Sequence, residues 1–194
     1  MNKNLSIVGY GKNRQENDFY PTPEYATEAL LRREKFEGNI WECACGNGAI
    51  SKVLEKHGYD VYSSDLYDYG FGNTGINFLD EYTTDIDNII TNPPYKLATD
   101  FVLHAQEIAG KKIAMLLKLV FLESSDRYKK LFCPQANIQI KSGDWKLKTV
   151  YVFSKRLKIY KDGIIGKNSG LIAYAWFIWE FDYKGKPYID WINE

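Results

Sequence analysis

Apolar positions recur at helical spacing over residues 22–36, where Tyr25, Ala26, Ala29, Leu30 and Phe36 share a face. Thr22 stands before Pro23, so Thr22 reads as an N-cap and Pro23 as the first helical residue. A short strand is expected over 39–43, a helix over 49–57 and a second strand over 60–64, followed by a Gly, Tyr and Asp-rich stretch to residue 75. Residues 88–91 read as a buried strand, 97–109 as a helix, 112–122 as a long apolar strand and 125–132 as a helix. Two strands, 149–159 and 171–181, close the pattern. Strands alternating with helices predict an α/β, Rossmann-like fold, with a mostly parallel sheet between two helical layers and a C-terminal antiparallel hairpin. Residues 1–18 read as a flexible N-terminal arm and 19–194 as a single domain, with no internal repeat.

The chain of 194 residues fits one domain, and 45% apolar content with 15% aromatics excludes a disordered tail, a collagen-like fibre or a disulfide miniprotein. No apolar run reaches the roughly 18–20 residues of a membrane span, and the polar start lacks a secretory pattern, so a cytoplasmic protein with no membrane partner is expected. Cys43, Cys45 and Cys133 have no paired spacing and read as reduced thiols. His57 and His104 stand at no ligand spacing to them, so no metal site is expected, and both histidines read as surface or packing residues.

Net charge is zero, yet residues 127–167 hold eleven basic residues against two acidic ones, a local +9 that the remainder balances. Aromatic residues Tyr128, Trp145, Tyr151, Phe153 and Tyr160 interleave with these cations. Such a segment can follow a polyanion while offering rings to bases, and it can equally be a solvated basic face. Lys146, Lys148, Lys155, Arg156 and Lys158 are its candidate nucleic-acid contacts.

In a doubly wound sheet, ligands bind beyond the carboxyl ends of the strands, so the loops there carry the chemistry. The first, Glu42-Cys43-Ala44-Cys45-Gly46-Asn47-Gly48, has two glycines that let the backbone pass close to a ligand, although it lacks the three-glycine dinucleotide spacing. The second strand ends near Asp65, an acid able to accept from both hydroxyls of a ribose. The third loop is Asn92-Pro93-Pro94-Tyr95. Its prolines stiffen the corner, and the Asn92 amide oxygen with the Pro93 carbonyl can accept both hydrogens of a planar amino group. Tyr95 offers a ring for stacking an aromatic substrate.

Residues 41–50, Trp-Glu-Cys-Ala-Cys-Gly-Asn-Gly-Ala-Ile, resemble the S-adenosylmethionine motif of class I methyltransferases, and Asn92 to Tyr95 resembles their amino-methylating catalytic motif. Upstream, Asp18-Phe19-Tyr20-Pro21-Thr22-Pro23 is similar to the motif that DNA adenine methyltransferases of the gamma arrangement place over the cofactor's methionine end. The order of arm, glycine loop and catalytic loop fits that group. Residues 113–123, 154–157 and 176–179 are similar to small phage-type DNA methyltransferases, so the resemblance spans nearly the whole chain.

The resemblance implies a Rossmann-like class I methyltransferase fold with S-adenosyl-L-methionine as cofactor. It implies Asn92, Pro93, Pro94 and Tyr95 as catalytic residues. It implies cofactor contacts from Phe19, Tyr20, Thr22, Pro23, Glu42, Ala44, Gly46, Gly48, Asp65, Leu66, Asn77, Phe78 and Asn92. Cys43 stands where the family usually has proline, and Asn77 where an aspartate commonly meets the cofactor's adenine, so either Asn77 or Asp80 fills that role. The implied activity is methylation of the adenine N6 amino group in DNA, within a host cytoplasm if the chain is phage-encoded. Methylation of RNA amino groups or protein glutamine, and a catalytically silent nucleic-acid-binding module, are the alternatives.

Overall fold

The computed structural model describes residues 19–83, 85–133, 145–159 and 172–193, so the arm 1–18 and much of the basic segment 127–167 lie outside the described residues. In chain order the elements are α1 (Glu24–Leu31), β1 (Ile40–Glu42), α2 (Ser51–Lys56), β2 (Val61–Asp65), β3 (Asn73–Thr74) and β4 (Ile86–Thr91). There follow α3 (Ala98–Ile108), β5 (Ala109–Lys118), α4 (Ser125–Arg127), β6 (Lys146–Phe153), β7 (Tyr174–Glu180) and β8 (Tyr188–Ile192). Among the described residues eight strands form one sheet in the order β3-β2-β1-β4-β5-β7-β6-β8, in which β7 runs against the other seven.

Strand side chains alternate between two separate cores. Trp41, Ile89, Met115, Leu117, Phe177 and Trp179 join Phe101 and Val102 of α3 on one face. Ile40, Ile90, Ala114, Leu116, Trp176 and Ile178 join Leu30 of α1 and Leu54 of α2 on the other. Burial on both faces explains why the central strands read as continuous apolar runs, as parallel strands between helical layers do. The α/β, Rossmann-like architecture is therefore as expected.

Several boundaries differ for physical reasons. The first helix starts at Glu24, with Pro23 as a cap residue that makes no side-chain bond, and ends at Leu31. Thr22 is not its N-cap, because its hydroxyl is engaged elsewhere. The apolar run 112–122 is two elements: β5 starts earlier, at Ala109, and Leu119–Leu122 tightens into a 3-10 turn once pairing with β7 stops at Lys118. Likewise α4 passes into a π-helical turn over Tyr128–Phe132. The final pair β6 and β7 is antiparallel as expected, but β7 is inserted between β5 and β6, and β8 adds beyond β6 in parallel. β8 escaped the pattern because Tyr188, Ile189 and Trp191 of this edge strand are exposed, so no buried face marks it.

One buried ion cluster ties the first helical segment to the sheet. Glu34 is 4% exposed, and its carboxylate accepts from Lys112 Nζ at 2.8 Å, Lys148 Nζ at 3.4 Å and the Tyr151 hydroxyl at 2.9 Å. Lys148 also donates to Glu180 at 2.8 Å. Burial opposes the Glu34 charge, but the Lys112 bond and the two ammonium charges outweigh it and hold the carboxyl below its usual range. Glu34→Ala should cost about 2–3 kcal/mol, because charge-assisted bonds inside the fold are lost. A carboxyl held low contributes stability above its unfolded pKa of 4.5 that disappears as pH falls through the folded value, so Glu34→Gln should flatten the acid limb of urea-unfolding stability.

Candidate functional site

The chain crosses from the β1–β2–β3 side of the sheet to the β4–β5 side at β1, so the loops after β1 and β4 diverge. A cavity of about 590 Å³ opens there, within the range of cofactor and small-molecule sites. Loops from four strand ends and the segment before α1 line it.

After β1, Glu42, Ala44 and Gly46 lie on the wall. Gly46 has φ +52°, and a Cβ there would stand 2.4 Å from the Phe19 ring, so glycine is required for both backbone and space. Gly48 shapes the turn, with φ +77° beneath Phe71, but does not line the cavity. Glu42 is 2% exposed and accepts from the Ser51 N–H at 2.8 Å and from the Ser51 hydroxyl. Burial, only partly offset by those bonds, pushes its carboxyl up to about 8.

After β2, Asp65 and Leu66 line the same cavity. The Asp65 carboxylate accepts from the Gly46 N–H at 2.8 Å and the Tyr67 N–H at 2.9 Å, tying the glycine loop to the second strand. Burial raises its pKa despite these bonds. Each oxygen retains a further lone pair, so the acid can accept from a ligand as well. Asn77 and Phe78 form the next part of the wall, whereas Asp80 does not. Asn77 Nδ2 donates to Asp80 Oδ2 at 2.6 Å, so Asp80 orients the amide while Asn77 meets the cavity.

The segment before α1 contributes Phe19, Tyr20 and Thr22, while Pro23 is turned to the helix start. Phe19 stacks on Tyr69, with centroids 4.1 Å apart and planes at 14°. Tyr67 and Tyr69 are wall residues that sequence reasoning missed. The signal available was the aromatic content of the Gly, Tyr and Asp-rich stretch, read only as a loop. Ser51 was missed too, since a helix-start serine carries no mark of the acid it will meet. Cys43 and Cys45 also reach the wall, and burial with the nearby acids pushes Cys45 up to about 12, so it stays a protonated, unreactive thiol.

At the end of β4, Asn92 and Pro94 line the cavity, while Pro93 is buried behind them. Asn92 Nδ2 donates to the Tyr20 carbonyl at 3.2 Å and to Thr22 Oγ1 at 3.1 Å. Asn92 Oδ1 is buried without a hydrogen-bond partner. Thr149 Oγ1 and Trp179 Nε1 share that condition inside the sheet, but Asn92 belongs to the cavity wall. Tyr95 stands apart from this wall. Its ring packs against Tyr174 at 5.7 Å, lies 4.5 Å from Lys118 Nζ, and borders a second cavity of about 110 Å³ with Phe121 and Arg127.

The basic candidates divide. Lys155, Arg156 and Lys158 are exposed beyond β6, and Lys146 is half-buried at its start. Lys148 is withdrawn from the expected phosphate contacts, because its ammonium is paired with Glu34 and Glu180. His57 bonds Glu28 at 2.9 Å, and His104 bonds the Glu81 carbonyl at 2.8 Å against Phe78. Among the described residues, no helix is long and apolar enough to cross a membrane.

No protein-family model matches the sequence, and no curated protein matches it. Solved structures do. A candidate RNA methyltransferase from Pyrococcus horikoshii aligns over 88% of this chain and 91% of its own, at 14% identity and a TM-score of 0.61. The 23S rRNA methyltransferase ErmE aligns over 87% and 71%, at 13% identity and a TM-score of 0.56. Magnesium protoporphyrin IX methyltransferase ChlM from Synechocystis, solved with bound SAM, aligns over 81% and 76%, at 12% identity and a TM-score of 0.53. What they share with this chain is the Rossmann-like α/β fold.

Glu42 yields a pH test. Its folded pKa of about 8 lies above the unfolded 4.5, so its neutral form favours the fold. That contribution is complete below about 4.5 and is lost as pH rises toward about 8. Glu42→Gln cannot ionise, so denaturant unfolding should show the variant gaining on the wild type across this window.

Proposed function

We propose that the protein transfers the methyl group of S-adenosyl-L-methionine to the N6 amino group of adenine in DNA. The observation that carries this reading is Asn92, a residue of the strand-end cavity wall whose Oδ1 is buried and has no hydrogen-bond partner. A buried acceptor left unpaired costs about 1–3 kcal/mol, and an incoming amino group relieves that cost.

The residues present fit the cofactor. A glycine loop without room for a Cβ at Gly46, acids at the ends of β1 and β2, and the Asn77 amide lie around one cavity. Glu42 would meet the cofactor's ammonium, Asp65 its ribose hydroxyls and Asn77 its adenine amino group, with Phe19 and Phe78 against the apolar surfaces. Bound there, S-adenosyl-L-methionine supplies an electrophilic methyl group on a sulfonium.

The chain's own task is to present the nucleophile. An adenine inside a duplex is out of reach, so the base is flipped toward the Asn92 corner. Asn92 Oδ1 accepts an amino hydrogen, which draws electron density onto nitrogen without a strong general base, while the Pro93 carbonyl, behind the wall in this arrangement, is not placed to take the second. Lys146, Lys155, Arg156 and Lys158 would hold phosphates. The neighbouring thiols of Cys43 and Cys45 are held protonated by burial, so they do not compete as nucleophiles.

The second reading is methylation of an RNA amino group, favoured by the names of two solved structures that share the fold. Incubation of labelled cofactor with unmethylated DNA, RNA and release factor, followed by digestion and mass spectrometry, separates these substrates. N6-methyladenine from DNA is the expected product, and label in RNA or glutamine alone would overturn the DNA assignment. Cofactor retention without any product would favour the silent binding module.

Asn92→Ala should lower turnover by roughly a hundred- to a thousandfold while cofactor affinity in calorimetry stays near that of the wild type. DNA affinity should fall steeply with salt, and replacing Lys155 and Arg156 together by Ala should make the slope of log affinity against log salt shallower by about 2.

A further inference from the structure

The side-chain amide of asparagine has two faces of opposite character, and its terminal torsion is soft and roughly two-fold. Rotated half a turn, the Asn92 amide would offer N–H donors where the incoming amine needs an acceptor. Something must hold one orientation.

We infer that Thr22 is a positioning residue for Asn92, holding the amide so that its oxygen is kept for the substrate amine. The inference rests on the proposed methylation of an amino group at Asn92. The Tyr20 carbonyl can only accept, so the atom of Asn92 that meets it at 3.2 Å must be nitrogen. The second amide hydrogen goes to Thr22 Oγ1 at 3.1 Å. With both hydrogens engaged on the arm side, Oδ1 alone is left without a partner. Thr22 is 5% exposed and makes no cap bond to α1, so its hydroxyl is directed to this contact rather than to the helix. Thr22, expected from the resemblance to touch cofactor, lies on the cavity wall and also acts through the catalytic corner.

The test compares Thr22→Val, which keeps the shape and removes the acceptor, with Thr22→Ser, which keeps the acceptor. Thr22→Val should lower kcat about three- to tenfold, as loss of one neutral hydrogen bond does, with cofactor affinity unchanged. Thr22→Ser should restore kcat. In a double-mutant cycle, adding Thr22→Val to Asn92→Ala should cost nothing further, because the effect of Thr22 runs through that amide. Wild-type kcat in Thr22→Val, weakened cofactor binding as its main effect, or a full additional loss in the double variant would each overturn the assignment.

A readout independent of turnover keeps this test apart from the methylation reading. In NMR of asparagine-labelled protein, the Asn92 side-chain amide hydrogens should exchange slowly in the wild type and Thr22→Ser, and faster in Thr22→Val. Unchanged exchange in Thr22→Val overturns the inference. An active Asn92→Ala enzyme overturns the methylation mechanism, and the exchange measurement still reads whether Thr22 holds the amide.

Discussion

Parallel strands buried on both faces impose one constraint on everything else: each crossover returns the chain to the same edge of the sheet, so successive strands finish at a common rim. Glu42, Asp65 and Asn92 come from three different parts of the sequence and meet because β1, β2 and β4 are parallel neighbours. The reversal of direction at β1 parts the loops that follow β1 and β4 and opens the cavity between them. Neither the acids nor the asparagine would form a site on a sheet of another topology.

At that rim, polar groups hold the loops to one another. Glu42 caps the approach to α2 through Ser51, Asp65 clasps the glycine loop, Asp80 turns the Asn77 amide, and the segment before α1 turns the Asn92 amide. Such bonds preorganise the cavity, since each loop is braced by a neighbour instead of by solvent. They also separate two kinds of acid. Glu34, held by ammonium groups, stays charged and serves the fold, whereas Glu42, fully buried with only Ser51 to donate to it and with Asp65 and Glu55 nearby, resists ionisation. Burial raises both carboxyls, and the charge state of each depends on whether its neighbours outweigh that.

Much of this was legible along the chain because two periodicities are local. Continuous apolar runs marked the central strands, helical spacing marked α1 and α3, and proline and glycine marked the strand-end loops. The misreadings share a cause. Residues 112–122 look like one strand because apolarity continues, but pairing with β7 ends at Lys118. β8 shows no buried face because its neighbour is on one side only. Lys148 looks like its basic neighbours because charge in sequence carries no record of Glu34, which arrives from more than a hundred residues away.

The order of residues by itself determined the α/β class, the two-sided burial of the central strands, the thiol state expected of the cysteines and the stiff corner at Asn92 to Tyr95. These depend on side-chain size, polarity and backbone freedom within a few neighbours. Tertiary structure decided which groups stand together: Phe19 on Tyr69, Ser51 on Glu42, Lys148 on Glu34, and Thr22 on Asn92 instead of on its own helix. The reason is physical: hydrogen-bond partners and charge states are set by distances across the fold, and those distances exist only once the parallel strands have brought remote segments to one edge.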